Sequence, residues 1–301
     1  MSIRLAILGS DRSRAIERET KNQRMCNSWF EYKSGRITAS CFKAASRADP
    51  TDPSLSLIKQ ICYPGTFNLS TSATRWTCQH QEMARMSYDE RAKHHHTELH
   101  VEDSGLHIHP YFPHLSASPD GLVQCTCCGK GIIETKCPFC QECSAVDDDC
   151  ADGCWCMEIN ADGVVSLRKD HQYYAQVQAE LFITGREYCD FVMILEKNQA
   201  QPYVERIKAN NRFFKPYVEQ VASFFVLGVL PELLGRWSTR AGFQTCIPIT
   251  DTSAEMLWCY CKEPENARAM LKCSSASCSI QKFHQKCLGL KKKTRSEGGC
   301  A

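Results

Sequence analysis

The chain has 301 residues, of which 43% are hydrophobic and 23% charged, and these fractions argue against a disordered or fibrous protein. The longest apolar run, residues 221–230, is shorter than the roughly 20 residues of a bilayer-spanning helix, and residues 1–10 lack the apolar core of a signal peptide. The net charge of +2 combines basic ends, at 1–45 and 257–301, with an acidic middle. This distribution suits a polyanionic ligand, with solvated charge of no function as the alternative.

Cysteine is the unusual feature of the composition, with 21 residues. Nine of them lie within 125–156 and six within 259–300, in a chain for which we expect no export into an oxidising compartment. Clustered thiols in a reducing compartment are typical metal ligands. We therefore expect a soluble, intracellular protein that binds zinc and has no membrane partner.

The first fifty residues give weak structural signals. Residues 12–33 are charged and hold too few apolar side chains to predict a core helix. Residues 36–40 favour a turn in which Thr38 or Ser40 caps the helix that follows.

A helix is predicted over 74–88 because its apolar residues recur at helical spacing, with Trp76 and Met83 among the expected core residues. Residues 106–123 hold short extended stretches broken by prolines, and 132–136 form a strand-like run. This part of the chain therefore changes from helix to strands.

An acidic, cysteine-rich insertion is predicted over 137–163, and a helix over 171–184 that ends at Gly185. The apolar run 188–195 predicts a buried strand.

The next elements are an edge strand over 204–207 and a long amphipathic helix over 210–230 that Pro231 stops. The order of helices and strands predicts an α/β core with a mixed sheet. We expect a first domain over 1–240, a linker over 241–256 and a small zinc-binding module over 257–301.

Two carboxylates and an ammonium group form the most informative local pattern. Asp120 follows Ser118 and Pro119, and Glu134 and Lys136 lie two residues apart on one strand, so that both point to the same face. Close carboxylates need a cation, and hard oxygen ligands favour Mg²⁺ or Mn²⁺. The lysine can orient the attacking water and offset phosphate charge. By itself the pattern is common by chance.

Five blocks in order make the chain resemble the YqaJ/lambda-exonuclease family of PD-(D/E)xK nucleases. This resemblance implies a restriction-endonuclease-like fold, in which helices flank a mixed central sheet. The blocks are Trp29 with KSGRITAS at 33–40, ATRWTCQHQEMAR at 73–85, SASPDGL at 116–122, IETKCPF at 133–139 and YYAQVQ at 173–178.

The resemblance also implies roles for individual residues. Asp120, Glu134 and the backbone carbonyl of Thr135 would bind the metal, and Glu82 would complete a second metal position. Lys136 would position the water and Gln176 would hold the site from the following helix.

The terminal 5′-phosphate of the DNA would be held by Ser40 with Lys33 and Arg36. The family usually has arginine where Lys33 stands. Lysine keeps the charge but lacks the bidentate fork, so a strict requirement for a 5′-phosphate is not expected.

The first cysteine cluster predicts a structural zinc site in the insertion, with free surface thiols as the alternative. The neighbouring run His94–His96 is expected to be a solvated loop rather than a metal site. The candidate zinc ligands are Cys125, Cys127, Cys128, Cys140, Cys143, Cys154 and Cys156.

The second cysteine cluster resembles a PHD finger, and its second zinc site lacks a ligand, so we expect the finger to be incomplete. Because many PHD fingers bind histone tails, the resemblance makes a histone tail a candidate partner. PHD fingers usually have tryptophan directly before Phe283, where this chain has Lys282, and this departure argues against recognition of methyl-lysine. The candidate ligands are Cys259, Cys261, Cys273, Cys278, His284, Cys287 and Cys300.

We therefore expect a metal-dependent DNA nuclease, in particular an exonuclease that works from duplex ends in the recombination of mobile elements in the nucleus. The family resemblance implies a homotrimer. The alternatives are an endonuclease, and a chromatin-associated binding protein that uses the nuclease fold as a scaffold.

Overall fold

The computed structural model describes residues 9–66, 72–137, 156–159, 161, 163–194 and 202–240, together with two short strands at 270–272 and 282–284. The chain forms two compact units, residues 1–243 and 244–301. The predicted linker and most of the predicted finger lie outside the described residues, so the boundaries 1–240, 241–256 and 257–301 stay predictions.

Helices make up most of the periphery of the first unit. In chain order they are α1 (Ser10–Glu19), α2 (Asn27–Lys33), α3 (Phe42–Arg47), α4 (Leu55–Cys62), α5 (Ser72–Lys93), α6 (Gln172–Thr184), α7 (Asn211–Phe224) and α8 (Leu230–Gly235).

Strands form the centre of the first unit, and one pair lies in the second unit. They are β1 (Ile37–Thr38), β2 (His100–Glu102), β3 (His107–Ile108), β4 (Leu115–Ala117), β5 (Gly121–Cys125), β6 (Gly129–Lys136), β7 (Met157–Ile159), β8 (Val165–Leu167), β9 (Tyr188–Met193), β10 (Tyr203–Lys208), β11 (Met270–Lys272) and β12 (Lys282–His284).

The central sheet has five strands in the order β10-β9-β6-β5-β2. Strands β6 and β9 are parallel, and the other neighbours are antiparallel. The predicted α/β class with a mixed sheet is therefore confirmed, and the predicted edge strand is β10. A second, three-stranded sheet has the order β1-β4-β3.

Helices α5 and α6 cover opposite faces of the central sheet. On β9, Phe191 packs with α6 residues such as Val177, whereas Val192 packs with α5 residues such as Tyr88. This alternation follows from the two-residue repeat of a strand, and it explains why all six residues of β9 are buried.

Helix α6 begins and ends as the sequence predicts. The His171 side chain accepts a hydrogen bond from the Tyr173 N–H at its start. Gly185 ends the helix with φ of 67°, a left-handed conformation that glycine adopts without a Cβ penalty.

The amino-terminal segment differs from the prediction, because residues 12–33 form most of α1 and α2. Ile16 and Trp29 are buried together with Leu106 and Ile108 in a small core of their own. A few well-placed apolar residues were sufficient, since tertiary packing rather than the local pattern stabilises short helices. The predicted cap by Thr38 or Ser40 is also wrong. Thr38 makes no side-chain capping hydrogen bond, and the residue before α3 is Cys41, whose side chain makes none either.

The predicted stop at Pro231 is wrong as well. The helix passes from α7 through a π-helical stretch, 225–229, into α8, and Pro231 lies in the first turn of α8. A proline is tolerated there because it interrupts few helical hydrogen bonds. By length and mean hydropathy the span Asn211–Gly235 would also suit a membrane helix, but Val221 and Phe224 are fully buried in the core of the first unit.

The hairpin of β7 and β8 joins the end of the cysteine-rich insertion to the core. Cys156, Met157 and Leu167 are buried against the α6 face of the central sheet. The insertion predicted over 137–163 therefore begins and ends in packed structure, and residues 138–155 lie outside the described part of the chain.

Candidate active site

The start of β5 and the end of β6 place Asp120 next to Glu134. Gly121 pairs with Ile133, and the Asp120 N–H donates to the Ile133 carbonyl over 3.0 Å. The carboxylate of Asp120 accepts from the Thr135 N–H over 2.7 Å and also from the Thr135 hydroxyl group. Two hydrogen bonds from one residue thus fix the orientation of Asp120.

Glu134 and Lys136 point to the same side of β6, as the two-residue repeat predicts. The Lys136 Nζ lies 2.6 Å from Glu134 Oε1, and Glu134 is only 3% exposed. The ammonium group also lies 4.9 Å from the centre of the Tyr173 ring. Lysine and glutamate therefore form a buried ion pair beneath helix α6.

Helix α6 adds Gln176, which was predicted, and Glu180, which was not. The Gln176 amide donates to Glu134 Oε1 over 2.6 Å and to Glu180 Oε1 over 2.9 Å. Glu180 is 1% exposed, and its Oε2 has no hydrogen-bond partner among the described residues. The signal for Glu180 is its position one helical turn after Gln176 on the same face.

Burial and mutual repulsion shape the titration of these carboxyl groups. Burial, reinforced by the charge of Asp120, raises the pKa of Glu134 to about 7 despite the opposing effect of Lys136. Burial and the charge of Glu134 raise the pKa of Glu180 well above its usual value. Burial lowers the pKa of Lys136, but Glu134 and Asp120 outweigh it and raise the pKa. The site holds more negative charge than one lysine neutralises.

These groups line a cavity of about 180 Å³ between the sheet, α6 and the amino-terminal segment. On its other side, the Trp29 indole N–H donates to Ser118 Oγ over 2.9 Å, and the Lys33 Nζ lies 4.2 Å from the centre of the Trp29 ring. The residues around the cavity are Gln23, Trp29, Lys33, Thr38, Ala39, Ser40, Gln81, Ser118, Asp120, Glu134, Lys136, Gln176 and Glu180.

Arg36 and Thr135 are predicted site residues that do not line the cavity. The Arg36 guanidinium donates to the backbone carbonyls of Pro113 and Tyr32, so it braces the chain behind the site. Thr135 acts through Asp120, as described above. Of the predicted phosphate ligands, Lys33 and Ser40 lie at the cavity.

Glu82 is also placed outside the cavity, contrary to the prediction. Its side chain is 70% exposed and lies 3.6 Å from Arg85, whereas its neighbour Gln81 lines the cavity. Ala84 is buried against the sheet, and Gln81 precedes it by three residues, so the two share a helical face. Met83 is 49% exposed and was wrongly assigned to the core.

The cysteines predicted as zinc ligands separate into two groups. Cys125, Cys127 and Cys128 lie together at the turn between β5 and β6, and His96 joins them. Cys156 instead packs in the core, 3.8 Å from the Met193 sulfur. Cys140, Cys143 and Cys154, and the cysteine ligands of the predicted finger, lie outside the described residues. His284 lies in strand β12, opposite Met270.

The cavity is chemically suited to a hard divalent cation. Asp120, Glu134 and Glu180 offer carboxylate oxygens, and Glu180 Oε2 has no hydrogen-bond partner among the described residues. Burial and mutual repulsion raise the pKa of Glu134 and of Glu180, so a bound cation would stabilise their ionised forms. Gln81 also lines the cavity, and its side-chain amide is a further potential oxygen ligand.

The sequence and the fold are both similar to those of known proteins. A sequence model described as a YqaJ-like viral recombinase domain matches residues 28–187, a range that includes every cavity residue except Gln23. No curated protein sequence matches the chain.

Solved exonuclease structures have a similar fold. The complex of LHK-Exo with dAMP has a TM-score of 0.50 and 26% sequence identity, over 70% of this chain and 97% of that one. LHK-Exo itself, an alkaline exonuclease from Laribacter hongkongensis, has a TM-score of 0.49 and 25% identity over 70% and 97% of the two chains. A phage related exonuclease from Haemophilus somnus 129PT has a TM-score of 0.45 and 12% identity over 67% and 96%.

Proposed function

The chain belongs to the family of YqaJ-like viral recombinase domains, and from this premise we propose that it is a DNA exonuclease that hydrolyses phosphodiester bonds with the aid of a divalent metal ion. The similarity to LHK-Exo, which has been solved in complex with dAMP, supports a ligand that contains a deoxynucleotide. Mg²⁺ is the proposed ion, with Mn²⁺ as a substitute.

The observation that carries the proposal is the convergence of Asp120, Glu134 and Glu180 with Lys136 in one cavity. Three carboxylates and a single ion-paired lysine are poorly suited to binding a phosphate directly, because the net charge would repel it. The same set is well suited to a cation that in turn binds phosphate oxygens.

The three carboxylates are the proposed metal ligands, with the amide oxygen of Gln81 nearby. A hard divalent cation bound there would lower the pKa of a coordinated water and offset negative charge on the scissile phosphate. Gln176 holds Glu134 and Glu180 in place through its two hydrogen bonds. Thr135 does the same for Asp120.

Lys136 is the proposed group that orients the attacking water. Its Nζ is held by Glu134 at 2.6 Å and stays protonated, since the charges of Glu134 and Asp120 raise its pKa. A charged ammonium group donates hydrogen bonds to the water and to a phosphate oxygen, and it accepts no proton in the reaction.

Lys33 and Ser40 are the proposed contacts to the 5′-phosphate at the end of the DNA. Both line the cavity, where the Lys33 Nζ lies 4.2 Å from the centre of the Trp29 ring and the Ser40 hydroxyl lies 3.0 Å from that of Thr38. Arg36 is no longer proposed for this role, because its guanidinium is bound to backbone carbonyls.

For the second unit we keep the proposal of a PHD-like zinc finger over 257–301 that helps to locate the enzyme. We also propose a role in the recombination of mobile elements in the nucleus, and assembly as a trimer. All of them rest on the resemblance in the sequence.

The test is degradation of end-labelled linear duplex DNA compared with a covalently closed circle, each with Mg²⁺ and with chelator. We expect mononucleotides from the linear DNA, an intact circle, and no product with chelator. Cutting of the circle would instead indicate an endonuclease. DNA binding without any cleavage in Mg²⁺ or Mn²⁺ would indicate a binding protein that uses the nuclease fold as a scaffold.

A further inference from the structure

Four metal-binding side chains meet at the end of the β5–β6 hairpin that lies away from the acidic cavity. Cys125 is the last residue of β5, and Cys127 and Cys128 form the turn before β6. His96 lies just after α5, where its N–H still donates to the Ala92 carbonyl. Two separate parts of the chain therefore supply one cluster.

The distances within the cluster are those of a tetrahedral zinc site. Bonds of about 2.3 Å to sulfur and about 2.1 Å to nitrogen place tetrahedral sulfurs about 3.8 Å apart, and nitrogen about 3.6 Å from sulfur. The His96 Nδ1 lies 3.7, 3.3 and 3.5 Å from the sulfurs of Cys125, Cys127 and Cys128. The Cys127 sulfur lies 3.4 Å from that of Cys125 and 3.6 Å from that of Cys128.

A disulfide does not explain this arrangement. All three cysteines are free thiols, and their sulfurs are separated by far more than the about 2.05 Å of a disulfide bond. Four donor atoms within 4.8 Å of one another leave room for one small ion at their centre.

Backbone groups around the cluster support thiolate ligands. The Thr97 N–H is directed to the Cys127 sulfur, and the Cys128 N–H to the Cys125 sulfur. Thr126, in the same turn, donates from its N–H to the Thr97 carbonyl over 3.0 Å and from its hydroxyl to Glu98 over 2.6 Å. Such outer hydrogen bonds orient the ligands of a metal site.

We propose that His96, Cys125, Cys127 and Cys128 form a structural zinc site that fastens the β5–β6 hairpin to the end of helix α5. The four protein ligands close the coordination sphere, so the ion is structural and takes no part in catalysis. The site uses no cysteine of the insertion after Cys137, which distinguishes it from the ligand set expected from the sequence.

The position of the site gives it a clear structural purpose. Helix α5 carries Gln81 at the acidic cavity, and the hairpin carries Asp120 and Glu134. The cluster lies about five residues along the hairpin from Asp120, or roughly 16 Å. A metal crosslink at that distance holds the two elements together without contact to substrate.

The test measures zinc per full-length chain by elemental mass spectrometry after purification with reductant and without chelator. We expect Cys127→Ser to lose one equivalent and His96→Ala to lose it on mild chelation. His96→Cys should retain it, because a fourth thiolate replaces the imidazole. His94→Ala and Cys140→Ser are matched controls that should keep the full content.

Replacement of zinc by Co²⁺ provides a readout that does not depend on comparing the stability of the variants. Compared with the unaltered chain, Cys127→Ser should have a weaker thiolate-to-metal charge-transfer band. His96→Cys should have shifted d–d bands. Zinc content and Co²⁺ spectra that are the same in Cys127→Ser and the unaltered chain would overturn the proposal. Loss of an equivalent in Cys140→Ser would overturn the ligand set, in favour of a site within the insertion.

Discussion

Gln81 lines the acidic cavity, whereas Glu82, the next residue of the same helix, has a side chain that is 70% exposed. We therefore expect Gln81→Ala to lower the rate of DNA cleavage by roughly tenfold, as the loss of a side chain that supports a metal site does. Glu82→Ala is the matched control and should cleave at the normal rate. Initial rates at saturating Mg²⁺ compare the two, and a severe defect confined to Glu82→Ala would contradict the assignment.

Asp120→Ala, Glu134→Ala and Lys136→Ala are each expected to abolish cleavage and leave binding of duplex DNA in chelator intact. Each removes a group at the centre of the cavity, and the effect on the reaction exceeds that on the fold. Glu102→Ala is the control, because Glu102 pairs with Lys21 at 2.8 Å and lies outside the cavity. Full Mg²⁺-dependent activity in all three variants would rule out this site.

Glu180→Gln should have opposite effects on activity and stability. The amide keeps the shape of the side chain but removes a carboxyl group whose ionisation is opposed by burial and by Glu134. In the metal-free protein we therefore expect a larger free energy of unfolding. We also expect the Mg²⁺ concentration for half-maximal cleavage to rise roughly tenfold or more. Denaturant titration in chelator and Mg²⁺ titration of the rate measure the two effects, and unchanged values of both would exclude Glu180 from the site.

The 5′ end of the DNA should be sensed through Lys33. Removing its ammonium group in Lys33→Ala should abolish a preference for 5′-phosphorylated over dephosphorylated linear DNA, which we expect to be roughly tenfold at low salt. Lys33→Arg is the informative companion, because a guanidinium binds phosphate through two parallel hydrogen bonds and should strengthen the preference. Equal rates on both substrates in all three proteins would refute an end-binding role.

Two half-buried histidines should make the fold sensitive to acid. Burial lowers the pKa of His107 and of His114 from 6.5 to about 4. Between pH 6.5 and 4 the unfolded chain binds more protons at these histidines than the folded chain does. The contribution of the neutral histidines to the free energy of unfolding is therefore complete above pH 6.5 and is lost as the pH falls toward 4. The expected loss is about 1–3 kcal/mol for each group.

This prediction is checked by measuring the free energy of unfolding of the protein and of His114→Gln between pH 7 and 4.5. The two pKa values of the histidine, 6.5 and about 4, set this window. The variant should show a shallower decline. His94 is exposed, and His94→Gln should follow the unaltered protein. A decline of equal slope in all three proteins would assign the acid sensitivity to carboxyl groups.

The part of the site that lies on strands could be predicted from the sequence. Glu134 and Lys136 were expected on one face because they lie two apart on a strand, and Asp120 was expected at the end of the neighbouring strand. The family resemblance distinguished this pattern from a chance match. Gln176 followed from the family resemblance. All four lie at the cavity in the structure.

The site residues on and just after helix α5 could not be predicted, because their positions depend on which face of the helix meets the sheet and on where the helix ends. Helix α5 has polar residues on several faces, and the sequence indicated Glu82 alone. The buried positions of Ala84 and Tyr88 turn Gln81 to the cavity instead. His96 reaches the cysteines only because α5 ends beside the hairpin turn, a contact between segments about thirty residues apart. No local pattern contains that information.

The pairing of β5 with β6 fixes how many residues can separate the carboxylates of the cavity. Gly121 lies opposite Ile133, and the Asp120 carboxylate binds Thr135, so the count of residues between Asp120 and Glu134 is fixed. One residue added to β6 would rotate Glu134 and Lys136 toward α5 and bring an apolar side chain into the cavity. Natural variation in chain length should therefore be absent from this hairpin and frequent beyond Cys137, where the count no longer affects the carboxylates.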